Sequence, residues 1–182
     1  MLSFSCSKGF LLMLAVLIYL DGQGLVLQSI LACAAHELGH WLFILLLGGK
    51  VRALRLTAVG AEIKLNTYYP LSYSREIAVS LAGPVVNLML AAIAVWGGWH
   101  LFAGLNLCLG VLNLLPIDPL DGGCALKLAL KGGNVRAADR IVEIISIVFS
   151  GALFGLGWMA WLSWGNITLL CIAAWLIVGV LK

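Results

Sequence analysis

Charge is what this sequence has least of: of 182 residues only 10% are Asp, Glu, Lys or Arg, while 63% are hydrophobic and the mean hydropathy is +1.08. A soluble domain carries about 25% charged residues, so a soluble enzyme is excluded and an integral membrane protein is implied. No nucleic-acid partner is expected; the lipid bilayer is. Five cysteines, an odd number without a CxxC pair, argue against a disulfide framework or a sulfur metal site. Cys33 and Cys124 therefore read as packed thiols rather than ligands. Internal repeats and low-complexity tracts are absent, and no stretch is polar enough for a separate soluble domain. The chain thus reads as one domain over 1–182, and any regulatory membrane partner must be another chain.

What is abundant is apolar sequence in runs. They predict an all-α polytopic membrane protein of about six spans, near 9–22, 25–47, 76–99, 101–115, 141–162 and 167–181. The first resembles a signal-peptide core, but no Ala-x-Ala-like site precedes Asp21, so it is expected as an uncleaved, short or tilted span. Lys50, Arg52, Arg55, Lys64 and Arg75 follow the second run, and Lys127, Lys131, Arg136 and Arg140 follow the fourth. The turns near Asp21, His100 and Trp164 carry no Lys or Arg. By the positive-inside rule the basic connections face the cytosol.

Within the second run, which is otherwise almost wholly apolar, stands His36-Glu37-Leu38-Gly39-His40. Two His at i and i+4 lie about 40° apart around a helix, so both rings can address one ion from one face. The Glu beside the first His lies off that pair, where it can take a proton from water instead of binding metal. Ionisable groups in a span cost about 2.5–3.5 kcal/mol each on insertion scales, which marks them as functional. His40 falls about 12 Å along the axis from Gly48, on the basic side.

Ala61, Ile63 and Leu65 alternate with Glu62, Lys64 and Asn66, and Gly60 offers a turn after the poorly alternating 51–59, so residues 51–66 predict a small membrane-associated β-hairpin, with an irregular interfacial loop as the alternative. A strand edge beside the motif could hold an unwound substrate segment extended. The third run contains Gly83, Pro84 and Asn87: Pro84 frees a helix carbonyl, and Gly83 permits close backbone approach. Asn87 can bond the freed carbonyls, a neighbouring helix or a substrate. The fourth run carries Asn106 and Asn113 and passes into Pro116-Ile117-Asp118-Pro119-Leu120-Asp121-Gly122-Gly123, which cannot continue a regular helix. Asp118 or Asp121 is expected to turn inward and complete a metal site. Residues 124–140 read as a short link whose basic side chains face solvent or headgroups. His100 and Glu143 receive no chemical role.

Three motifs in this order, His36-Glu37-x-x-His40, Ala82-Gly83-Pro84 with Asn87, and Asn113-x-x-Pro116-x-x-x-x-Asp121-Gly122, resemble the site-2 protease family of intramembrane zinc metalloproteases. The small size is similar to the branch of stage IV sporulation protein FB, without its CBS domain. The resemblance implies one zinc ion per chain bound by His36, His40 and Asp121, with Glu37 as general base and acid. It prefers Asp121 to Asp118, and it implies that Asn87, Asn113, Gly83, Pro84 and Pro116 support the site or the substrate. It further implies cleavage of a membrane-bound protein substrate in or near a transmembrane segment, releasing a cytosolic fragment at a bacterial plasma membrane. The rival classes are a membrane metal-ion transporter and an inactive zinc-binding protein of the same fold. A carboxylate such as Glu37, outside the ligand pair, suits the hydrolase.

Overall fold

The computed structural model describes residues 3–6, 14–19, 21–22, 24–49, 51–57, 60–65, 71–131 and 135–180. Two compact units divide the chain, Met1–Val111 and Leu112–Lys182. Of the expected first span, 14–19 are helical, while 9–13 and 20 lie outside the described residues.

In the first unit, helix α1 (Leu25–Leu46) starts where the Asp21 carboxylate accepts the N–H groups of Leu25 at 3.0 Å and Val26 at 2.8 Å. An anion is favourable at that positive helix end. The helix stops at Gly48, whose φ of 83° is left-handed, and the Gly49 N–H returns 2.8 Å to the Ile44 carbonyl. From helix α2 (Tyr73–Trp96), the Arg75 guanidinium donates to the Leu47 carbonyl at 3.2 Å and satisfies another open acceptor at the α1 end. Helix α3 (His100–Leu114) follows after a short turn.

Strands β1 (Ser3–Cys6), β2 (Val51–Thr57) and β3 (Gly60–Leu65) form a sheet of order β1-β2-β3. β2 and β3 are antiparallel, with Leu54 opposite Ile63, and β1 runs parallel to β2. The parallel strand has no counterpart in the sequence reading, because its partner lies some fifty residues away.

Size decides which residues face inward. Ala32, Ala82, Ala91, Ala94 and Ala103 are buried, whereas Leu38, Leu42, Met89 and Ile93 are all more than half exposed. Lipid tails accept large apolar side chains as readily as a protein core does, so helices associate through small residues that let backbones approach. A β-carbon on Gly39 would stand 3.0 Å from Val86 Cγ2 and 3.2 Å from Gly83 Cα, which shows how closely α1 and α2 cross there.

The second unit holds α4 (Asp121–Leu130), α5 (Val135–Trp164) and α6 (Thr168–Val180). The Pro116–Leu120 loop is anchored by Ile117, which is fully buried, and by the Asp118 N–H donating to Ser146 Oγ at 2.9 Å. β-carbons on Gly122 and Gly123 would meet the backbones of Leu114, Leu115 and Ile117, so both positions must be glycine for the loop to fold back on the α4 start.

The expected six spans are corrected. Among the described residues three helices, Leu25–Leu46, Tyr73–Trp96 and Val135–Trp164, are long and apolar enough to cross a membrane. α3 and α6, with 15 and 13 residues, rise only about 22 and 20 Å, less than a hydrocarbon core of about 30 Å. Pro116 stops the first of them, and the turn at Gly165, with φ 66°, delays the second. Of residues 124–140, expected as a short amphipathic or irregular link, 124–130 and 135–140 are helical, and 132–134 lie outside the described residues.

Candidate metal centre

α1 carries the three motif side chains, with His36 buried and Glu37 and His40 half-buried. α2 supplies what orients them. His36 Nδ1 lies 2.6 Å from Asn87 Oδ1, and His40 Nδ1 lies 2.8 Å from the Val79 carbonyl oxygen. Both partners are acceptors, so each ring carries its proton on Nδ1 and leaves a lone pair on Nε2. Those two Nε2 atoms face each other at 3.1 Å, with the rings edge to face. Two lone pairs held that close repel unless a cation shares them. The donor set therefore fits a metal ion, as neutral imidazoles tied by their second nitrogen do.

Gly83 makes room for this pair: a β-carbon there would stand 2.7 Å from His40 Cε1 and 2.9 Å from His36 Cε1 and would overlap His40 Nε2. Pro84, one residue on, is buried inside α2. Asn87, with three partners open to it in the sequence, is fully buried and bonded to neighbouring helices, donating to the Ala32 carbonyl at 3.1 Å and to Asn106 Oδ1 at 2.8 Å. The role of Asn106 escaped the sequence reading. Its signal was there: it is the only amide in an apolar helix between Leu101 and Leu112.

The remaining residues belong to the second unit. Asp121 opens α4 and is half-buried; Asn113, in the last turn of α3, and Pro116 are also half-buried. Asp118 is engaged elsewhere, in an ion pair of 3.3 Å with Lys127, which also reaches Asp139 at 3.3 Å. Lys127, read as facing solvent or headgroups, is thus a bridge between the loop and α5. Its hydrogen bonds to Asp118 first, and then Asp139, hold its ammonium pKa above the ordinary lysine range. Burial, aided by the Asp118 and Asp121 charges, pushes the Cys124 thiol up, and its Sγ–H points at the Pro119 carbonyl 3.8 Å away. A thiol held neutral is a poor metal ligand.

The model of Peptidase family M50 matches residues 97–157, which include Asn113, Pro116 and Asp121 but not the His motif. Rip3 of Mycobacterium tuberculosis, which bears a zinc metalloprotease name, is 31% identical over 82% of this chain and 46% of its own length. Stage IV sporulation protein FB of Bacillus subtilis is 32% identical over 65% of this chain and 45% of its own. The chain thus spans about half the length of these relatives. Among solved structures, the site-2 protease from Methanocaldococcus jannaschii superposes with a TM-score of 0.70 over 98% of this chain and 89% of that one. At 22% identity that likeness speaks for the fold. By fold the chain is a site-2-protease-like membrane protein. By sequence it is assigned to peptidase family M50, the site-2 protease family.

Proposed function

We propose that the chain is a zinc metalloprotease that hydrolyses peptide bonds in or near transmembrane segments of membrane-bound protein substrates. The observation that carries this is the facing pair of imidazole lone pairs, His36 Nε2 and His40 Nε2 at 3.1 Å, with Glu37 between them in sequence and outside the pair. Asp121, on the match of Asn113-x-x-Pro116-x-x-x-x-Asp121-Gly122 to the family, would be the third ligand of a His, His, Asp donor set for one zinc ion. Asp118, spent on Lys127, is the weaker candidate.

A zinc ion held by these residues would supply Lewis acidity, lowering the pKa of water and polarising a peptide carbonyl. Glu37 takes the proton from the attacking water and returns it to the leaving amine, so that one water is consumed per bond cut and the carboxylate is regenerated. β3 is an edge strand of the sheet, and an unwound substrate segment adds to it as a further strand. Its hydrogen bonds replace those a transmembrane helix loses on opening.

The basic connections, and with them the site, face the cytosol of a bacterial plasma membrane, into which the product fragment is released. The deciding experiment co-expresses wild type, Glu37→Gln and His36→Ala with tagged single-pass proteins. Glu37→Gln should keep zinc and lose cleavage by at least ~100-fold, and His36→Ala should lose both. Cleavage by Glu37→Gln at the wild-type rate would refute the mechanism.

A further inference from the structure

The amide chain behind His36 has a direction, and Asn106 shares with the Ala32 carbonyl in setting it. Asn106 on α3 is fully buried, and its Nδ2 donates to the Phe102 carbonyl at 2.9 Å, one turn back in its own helix. That bond turns Oδ1 towards α2, where it accepts from Asn87 Nδ2 at 2.8 Å. The same Nδ2 donates its other hydrogen to the Ala32 carbonyl at 3.1 Å. With both amide hydrogens used, Asn87 presents Oδ1 to His36 Nδ1 at 2.6 Å. A reversed Asn87 amide would aim oxygen at oxygen twice and N–H at N–H once, leaving buried groups unsatisfied at about 1–3 kcal/mol each.

From this polarity we infer that Asn106 is a positioning residue: through Asn87 it holds His36 in the Nδ1–H tautomer and so keeps Nε2 as the lone-pair nitrogen for the metal. The inference rests on the metal-centre reading above. Simple helix glue would need only some hydrogen bond between α2 and α3. Here the far end is pinned by a backbone carbonyl that cannot be reversed, so the bond can run only one way. His40 needs no such relay, because the Val79 backbone carbonyl fixes its Nδ1 directly.

The test reads tautomers in the zinc-free full chain in micelles by nitrogen NMR of labelled histidine, and zinc affinity by competition titration. Wild type should show His36 protonated on Nδ1. Asn106→Leu, close in volume, should show a mixture with the Nε2–H form and bind zinc roughly tenfold more weakly, while the His40 signals stay put. Asn106→Ser, too short to reach Asn87, makes the same comparison if Leu is not accommodated. Adding Asn87→Asp to Asn106→Leu should restore the Nδ1–H form, since either carboxylate oxygen accepts and orientation no longer matters.

An unchanged His36 tautomer in Asn106→Leu, zinc affinity within twofold of wild type, or no rescue by Asn87→Asp would each overturn the relay. Absence of zinc binding by the wild type would instead sink the metal-centre reading. The tautomer signals, recorded without metal, would still decide the part played by Asn106.

Discussion

Gly83 faces His40 so closely that a β-carbon placed on it would overlap the imidazole Nε2. The ring cannot retreat far, since its other nitrogen is tied to the Val79 carbonyl. Gly83→Ala should therefore displace His40 and abolish zinc retention, measured as metal per chain after purification. Gly104→Ala is the control: nothing lies within 4 Å of its would-be β-carbon. It should keep zinc and gain about 0.5–1 kcal/mol from reduced backbone freedom.

Gly122 and Gly123 face backbone rather than side chain, and backbone cannot rotate aside. The would-be Gly122 β-carbon lies 2.6 Å from the Leu115 carbonyl oxygen, and that of Gly123 lies 2.5 Å from the Asp118 nitrogen. Either Ala substitution should cost about 1–3 kcal/mol or more, as overpacking does, seen as a lower melting temperature with reduced zinc content. Gly151→Ala, with open space around it inside α5, should keep the zinc content and raise the melting temperature slightly.

Lys127 makes a pH prediction. Its pKa is raised in the folded state by its bonds to Asp118 and Asp139. Its contribution is thus fully present below the unfolded lysine value of about 10.4 and is lost as pH rises through the higher folded value. At a third exposed, the pair with Asp118 contributes no more than about 1 kcal/mol. The melting-temperature difference between wild type and Lys127→Met should be flat from pH 7 to about 10 and vanish above that range.

Metal removal gives a fourth outcome. If zinc holds the folded form and not the unfolded one, free zinc at a hundredfold over its Kd stabilises by about 2.7 kcal/mol. Chelation should lower the melting temperature and stop cleavage, and added zinc should restore both. In His36→Ala the chelator should shift nothing.

The sequence disclosed what depends on local periodicity. The i, i+4 spacing of His36 and His40 and the stop at Gly48 follow from one helix alone. What it withheld depends on how helices are rotated against each other. Asn87 had three partners open to it, and only the packing of α1, α2 and α3 selects His36, Ala32 and Asn106. Lys127 looked like a headgroup anchor because its bridge to Asp139 requires α4 and α5 to be consecutive helices. Span counting failed for a related reason: apolar composition continues through α3 and α6, but Pro116 and Gly165 fix where each helix ends or begins.

α5 is 30 residues long, about 45 Å at 1.5 Å per residue, against a hydrocarbon core of about 30 Å. Even with tilt it overshoots, and its charged start, Arg136, Asp139, Arg140 and Glu143, is the end left in the headgroup layer. Asp139 in that stretch is tied through Lys127 to Asp118. One lysine thus fastens the charged first turns of α5 to the loop that precedes Asp121, so the long helix and that loop share an anchor.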